Sequence, residues 1–385
     1  MNRLFISYNW LLFFGIGSLY PLLAIYLEEV GLSGAQIGVI LSIGPIVTIF
    51  AQPFWGYLSD RFQRPIGVIT LTATLSAITV LGYLLLNHYI HFIVVAVLLA
   101  LFHSPLVPIS DSITLGYVKK HGVPFGNIRL WGAIGFALAV WITGFLMEFT
   151  FSGIIFYVFS IVLILTAILA RWLPNEAEYV RTNFKQGISK LFRLPAYCLL
   201  LISTFLIFGA VHANNFYFGI YYTSIGGTVA GVGVVFLLAA GSEAPVMRIA
   251  NYYISKFGLA NILIFASSIG ALRWFFFSME PSSLWVVVVS ISQGISVGLF
   301  IPASVMLVRE LSPDDVKVTS MAIFSSAGTG LGTTFFTVLS GYIIEMYTPS
   351  SIYLLYGIAS LVGITSLFFM KVYLIQAFQG ERLQN

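Results

Sequence analysis

The chain has 385 residues, of which 59% are hydrophobic and only 8% carry a charge. A soluble domain carries about 25% charged residues, so this composition excludes an ordinary water-soluble enzyme and indicates a surface that faces lipid. The net charge of +4 comes from basic residues spread over short connectors, which does not indicate nucleic-acid binding.

Twelve apolar stretches follow one another along the chain, and each is long enough to cross a membrane as a helix of about 20 residues. They lie at residues 4–27, 36–58, 66–86, 91–117, 127–147, 152–172, 196–222, 229–250, 259–279, 284–308, 318–343 and 350–372. The first is too long for the core of a signal peptide, so we expect it to stay in the mature chain. The fold class predicted is an all-α membrane protein with twelve transmembrane helices in two pseudo-symmetric six-helix bundles.

The connector at residues 173–195 is the longest and divides the spans six and six. The predicted organisation is an N-terminal bundle at 1–172, this cytoplasmic linker, a C-terminal bundle at 196–372 and a cytoplasmic tail at 373–385. Apolar residues recur in the linker at helical spacing beside basic ones, which favours an amphipathic helix lying on the membrane surface. A plain tether between the bundles is the alternative. The apolar positions are Phe184, Ile188, Leu191 and Phe192.

The basic residues predict the orientation, because short cytoplasmic loops are enriched in Lys and Arg. With the N-terminus inside, all basic residues except two of the 18 fall in inner segments, and Arg129 and Arg273 fall within spans. The outer connectors then carry only acidic residues. These acidic residues are Glu28, Glu29, Glu148, Glu280 and Glu345. We therefore expect a multi-pass protein of the plasma (inner) membrane with both termini in the cytoplasm.

The two halves resemble each other weakly. The segment ITGFLME ends the fifth span at Glu148, and LSGYIIE ends the eleventh at Glu345. Pro108 in the fourth span has a counterpart in Pro302 in the tenth. Parallel six-helix repeats are typical of one large class of transporters.

The connector after the second span contains Gly56, Asp60, Arg61 and Arg64. Gly56 would allow two helices to approach closely, and the two arginines would hold the turn against anionic headgroups. A charged loop that only fixes topology is the alternative.

This loop resembles the signature of the major facilitator superfamily, although Gln63 stands where a glycine is usual. The segments LYPLLAIYL (19–27), QPFWGYLSDRF (52–62) and FGNIRLWGAIGFAL (125–138) are similar to the lactose-permease-like branch, which includes sugar, phenylpropionate and nucleoside proton symporters. The resemblance covers the first half well and the second half loosely. It implies two bundles around a central cavity that opens alternately to each side.

Four ionisable residues lie inside predicted spans, where a charge needs a partner or a wet cavity. Asp111 and Arg129 are on the fourth and fifth spans, and Glu243 and Arg273 are on the eighth and ninth. Each pair is on consecutive spans, so a carboxylate–guanidinium contact is expected. The contacts either bind substrate or only hold two helices together.

The resemblance places further residues at substrate positions and also shows departures. Phe136 stands where the lactose permease has its sugar-stacking tryptophan, Asn215 stands at an acidic position of the seventh span, and Gln293 and Ser296 stand where it has a histidine and a proton-carrying glutamate. These departures argue against a disaccharide and require another proton carrier, for which we choose Glu243, with Asp111 as the other deep carboxylate.

The function predicted is secondary active transport of a small organic solute by alternating access, with proton-coupled uptake. The expected substrate-binding residues are Asp111, Arg129, Phe136, Asn215, Arg273 and Gln293. A drug or lipid exporter on the same fold is the alternative. We expect no enzyme activity, no cofactor, no metal and no nucleic acid, and a monomer whose partners are its solute, the proton and the lipid bilayer.

Overall fold

The structure is a computed structural model that describes residues 2–85, 88–122, 125–174, 191–313 and 316–384. Most of the predicted linker helix, residues 175–190, lies outside the described residues. In the part described, eleven helical segments are long and apolar enough to cross a membrane, and Ile154–Ala170 is a shorter apolar helix in the place of the sixth span. All twelve predicted stretches therefore coincide with helix.

Six spans precede the linker, and two of them are interrupted. The third breaks after Thr79, and the fourth breaks at Ser104 and Pro105, because proline has no N–H to continue the ladder of hydrogen bonds. The helices are α1 Asn2–Glu29, α2 Gly34–Phe62, α3 Pro65–Thr79, α4 Gly82–Leu85, α5 Tyr89–His103, α6 Leu106–His121, α7 Phe125–Phe149 and α8 Ile154–Ala170.

Six further spans follow the linker, and again two are interrupted. The tenth breaks at Ile291 and Ser292, and the eleventh contains a π-helical turn at Ser326–Gly332. The last helix runs from the twelfth span through most of the predicted tail. The helices are α9 Pro195–Ser224, α10 Val229–Phe257, α11 Leu259–Ser278, α12 Ser283–Ser290, α13 Gln293–Leu311, α14 Lys317–Ser325, α15 Thr333–Met346 and α16 Ser351–Gln384.

The contacts group into two compact units. Unit 1 comprises Met1–Val180, Asn215–Leu237 and Thr337–Met346, and unit 2 comprises Arg181–Asn214, Leu238–Phe336 and Tyr347–Asn385. Unit 1 therefore includes parts of α9, α10 and α15 in addition to the first six spans. The all-helical fold class is confirmed, and the domain boundaries drawn from the sequence remain a prediction.

In unit 1, α1 packs along α7 at very short range. A Cβ atom added to Gly17 would lie 2.3 Å from the carbonyl oxygen of Phe136, and one added to Gly135 would lie 2.5 Å from that of Trp10. Glycine at both positions lets the two backbones touch, as is common between membrane helices. This packing fixes the start of α7, which carries Arg129.

In unit 2, α11 packs against α13 and α16. The helices α10 and α13 also meet at a glycine, because a Cβ on Gly294 would lie 2.4 Å from the carbonyl oxygen of Ser242. Gln293, which precedes Gly294, and Glu243, which follows Ser242, are therefore brought together.

Candidate functional site

The first candidate group is an ion pair in unit 1. Arg129 Nη1 donates to Asp111 Oδ1 at 3.0 Å. The short connector between α6 and α7 makes the two helices neighbours, as the sequence predicted, and the expected pairing is confirmed. The side chains remain 37% exposed for Arg129 and 29% exposed for Asp111. The pair is thus only partly buried within unit 1.

The Arg129 guanidinium also rests on an aromatic ring. Its central carbon lies 4.1 Å from the centroid of Phe13 on α1. The ring fits against α7 because residue 132 is glycine, where a Cβ would lie 2.7 Å from Phe13 Cδ2. The cation–π contact therefore helps to orient the guanidinium. Phe13 was missed from the sequence because a phenylalanine in an apolar span carries no local signal.

The second candidate group, in unit 2, is a chain of three side chains. Arg273 Nη1 donates to Gln293 Oε1 at 3.0 Å, and Gln293 Nε2 donates to Glu243 Oε1 at 3.0 Å. The direct Glu243–Arg273 contact expected from the sequence is replaced by this amide bridge. The reason is that α13 lies against both α10 and α11, and an amide both donates and accepts.

Arg273 is 3% exposed and lies 4.4 Å from the ring centroid of Trp274, measured from its central carbon. Its Nε and Nη2 atoms have no hydrogen-bond partner within the described part of the chain. A buried guanidinium with unused donors is a costly arrangement in a folded protein. This is the feature of unit 2 that most favours a ligand-binding role.

The remaining predicted substrate residues do not join either group by a hydrogen bond in the described regions. Phe136 lies on α7 in unit 1, with its ring 5.8 Å from that of Phe236. Asn215 is half-buried on α9. Its neighbour Asn214 instead accepts a hydrogen bond from the hydroxyl of Tyr353 at 2.9 Å, in unit 2.

The loop motif is formed by the end of α2. Gln63 adopts a left-handed conformation with φ of 50° and ends the helix. This explains why a glycine suits the position in the family signature, since glycine adopts that conformation without strain.

Two other members of the motif are also placed. Arg61 contacts Tyr57, with Nη1 donating to the hydroxyl at 3.0 Å. The close helix approach expected at Gly56 is not made, because a Cβ there would meet nothing within 4 Å. Asp60 and Arg64 are exposed.

Comparison with known proteins decides the family. The model of the MFS_1 like family matches residues 3–355. The chain belongs to this family, within the major facilitator superfamily. It is 41% identical over 365 residues to the maltose permease of Geobacillus stearothermophilus, covering 94% of this chain and 93% of that protein. It is 35% identical over 372 residues to an uncharacterized transporter, YwbF, of Bacillus subtilis, covering 96% and 92%.

The fold of this MFS_1 like chain is also that of a solved transporter. The crystal structure of the nucleoside transporter NupG superposes with a TM-score of 0.85 at 18% identity, covering 96% of this chain and 98% of that one. Family, relatives and fold agree on a multi-pass membrane protein that transports a solute.

Proposed function

We propose that this MFS_1 like chain is a proton-coupled importer of a small polar solute, and that the solute is a sugar. The observation that carries the proposal is the Glu243–Gln293–Arg273 chain, which holds one carboxylate and one permanently charged guanidinium together inside a membrane protein. Residues of this kind in a span are expensive and usually functional.

A sugar fits the exposed pair in unit 1. Arg129 offers donors and Asp111 offers acceptors only 3.0 Å apart, so two adjacent hydroxyls would find one partner of each kind. Maltose is the first solute to test, because a relative with 41% identity is named as its permease. Testing a disaccharide first departs from the sequence-based expectation, which argued against a disaccharide because Phe136, Asn215, Gln293 and Ser296 differ from the lactose permease.

Glu243 is the residue that we assign to the proton. A direct ion pair with Arg273 would hold it charged throughout, whereas the neutral amide of Gln293 separates the two groups. A protonated carboxyl group keeps a carbonyl oxygen that can still accept from Gln293 Nε2, so the bridge can persist in both protonation states of Glu243. Glu243 can therefore exchange its proton while its position on α10 is kept.

The test uses purified protein in liposomes, with labelled maltose and an imposed pH gradient. Glu243→Gln should abolish accumulation against a gradient and keep solute exchange at equal concentrations, because exchange needs binding but no net proton movement. Glu280→Gln, which removes an acid whose carboxylate accepts from Ser350, is the matched control. Intact accumulation by Glu243→Gln would show that the proton assignment is wrong.

The same liposomes test direction and substrate. In liposomes, accumulation driven only by a proton gradient of the opposite direction would favour the exporter. In cells, protection from a toxic compound without solute uptake would favour it as well. Uridine and 3-phenylpropionate serve as competing solutes of other classes. We further propose that the termini and the basic connectors face the cytoplasm. Labelling of cysteines placed at Lys256 and at the exposed Glu29, from either side of the membrane, would test this.

A further inference from the structure

Two glutamates close the N-terminal ends of two helices within unit 1. Glu345, near the end of α15, accepts from the backbone N–H of Ala35 at 2.7 Å and from the Ser33 hydroxyl at 2.8 Å, at the start of α2. Glu148, near the end of α7, accepts from the backbone N–H of Ala230 at 3.2 Å, at the start of α10. Each contact joins a span from one half of the sequence to a span from the other half.

The two contacts occupy equivalent places in the sequence repeat. The glutamates are 345 − 148 = 197 residues apart, and the amides that they accept from are 230 − 35 = 195 residues apart. The two halves exchange roles between the contacts. In one contact the first half supplies the amide and the second half the glutamate, and in the other the first half supplies the glutamate and the second half the amide. The contact is therefore built twice, at equivalent places of the repeat and with exchanged roles.

A glycine precedes each glutamate by about one helical turn. A Cβ on Gly341 would lie 2.4 Å from the carbonyl oxygen of Gly34, and a Cβ on Gly144 would lie 2.7 Å from that of Val229. Only glycine allows these backbones to meet. The approach brings the carboxylate of the next turn to the first amides of the facing helix.

The chemistry of each contact is that of a helix cap supplied by another helix. The first N–H groups of a helix have no partner within it, and the partial positive charge at that end favours a carboxylate. Such a contact is short-ranged and reversible. It is lost as soon as the two helix ends move apart by a few ångströms.

We propose that Glu148 and Glu345 are a matched pair of positioning residues for the transport cycle, which hold together the ends of the spans that carry the acidic connectors. The proposal rests on the proposed alternating access. In the state described here both caps are made, and opening at this end requires both to break. Removing either one shifts the population towards the state that is open there.

The test uses thiol labelling, which needs no solute. In a Cys198→Ser background, a reporter cysteine replaces Thr337 or Thr143. Both threonines are fully buried close to these caps, and their hydroxyls have no hydrogen-bond partner among the described residues, so a cysteine fits with little disturbance. The rate of reaction with a maleimide then reports opening at each cap.

Glu345→Gln and Glu148→Gln should each speed labelling by about two- to thirtyfold, the range that a lost helix cap corresponds to. The double variant should exceed both. Glu280→Gln is the control for removing an acid from another predicted outer connector, and it should leave both labelling rates unchanged. Unchanged rates in all the Glu148 and Glu345 variants would overturn the proposal.

A cysteine at Ala266, in the buried core of unit 2, separates opening from unfolding. Faster labelling there as well would mean that the variant unfolds. Glu345→Asp, which keeps the charge, would then be compared with Glu345→Gln, and it should partly restore the slow labelling of the Thr337→Cys reporter. Absence of that rescue would also overturn the proposal. Because labelling is measured without solute, a failure to transport maltose leaves this result standing.

Discussion

The guanidinium carbon of Arg129 lies 4.1 Å from the centroid of the Phe13 ring, while Nη1 of the same group donates to Asp111. Arg129 is therefore held from two sides, by an aromatic face on α1 and by a carboxylate on α6. The two contacts come from residues that are far apart in sequence. They explain how a half-exposed arginine keeps one orientation.

Replacing Phe13 with leucine should weaken solute binding about two- to thirtyfold, because a cation–π contact of this kind contributes roughly 0.5–2 kcal/mol. Phe13→Tyr keeps the ring and should bind nearly as the original chain does. The measurement is the KM for uptake, together with the melting temperature. A fall in melting temperature with an unchanged KM would mean that Phe13 only fills space.

Asp111→Asn separates a binding role from a structural one. Because the pair is partly exposed, its loss should lower the free energy of unfolding by less than about 1 kcal/mol. Solute affinity should fall at least tenfold, because a charged acceptor is lost and hydrogen bonds to charged groups contribute about 1.5–3 kcal/mol. Thermal unfolding and solute binding on the same sample measure both quantities. If stability fell and binding did not, the ion pair would be a helix brace.

Gln293→Leu should destabilise unit 2 by about 1.5–3 kcal/mol, because it leaves the buried Arg273 with a further unpaired donor and removes the partner of Glu243. Gln52→Leu is the matched control, since Gln52 Nε2 donates only to the carbonyl oxygen of Ser104 at 3.2 Å. That variant should lose under about 1 kcal/mol. The measurement is the melting temperature of each variant. Equal melting temperatures would argue that the Gln293 bridge contributes little to stability.

Gly233→Ala and Gly241→Ala are a matched pair on α10. A Cβ on Gly233 would lie 2.2 Å from the backbone nitrogen of Trp141, whereas one on Gly241 would meet nothing within 4 Å. The first should cost about 1–3 kcal/mol by overpacking, and the second should be neutral or stabilise the helix by up to about 1 kcal/mol. The same melting temperature for both would show that α10 and α7 do not pack this closely.

The positions of the spans could be predicted from the sequence because hydropathy is a local property. Each apolar stretch must form helix in lipid, where every backbone group has to be satisfied within the segment. The interruptions were less predictable. The break at Ile291 and Ser292 and the π-helical turn at Ser326–Gly332 involve no proline. The turn contains three glycines, but glycine is common in membrane helices and does not by itself predict an interruption.

The candidate site was partly predictable for a related reason. Asp111 and Arg129 are recognisable as charges within apolar runs, and their pairing follows from consecutive antiparallel spans. The role of Gln293 between Glu243 and Arg273 could not be derived in the same way, because it depends on which face of α13 lies against α10. Phe13 and the two helix-capping glutamates likewise depend on distances between helices.

The sequence by itself determined a membrane protein of twelve apolar helices, with four ionisable residues inside the spans and a weak repeat between the halves. These features are local, because each depends only on which residues follow one another along the chain. Only the tertiary structure decided which side chains meet: an amide between Glu243 and Arg273, an aromatic ring under Arg129, and carboxylates at the ends of α2 and α10. Those contacts follow from glycines that let particular backbones approach to van der Waals distance. The length of a span does not encode that approach.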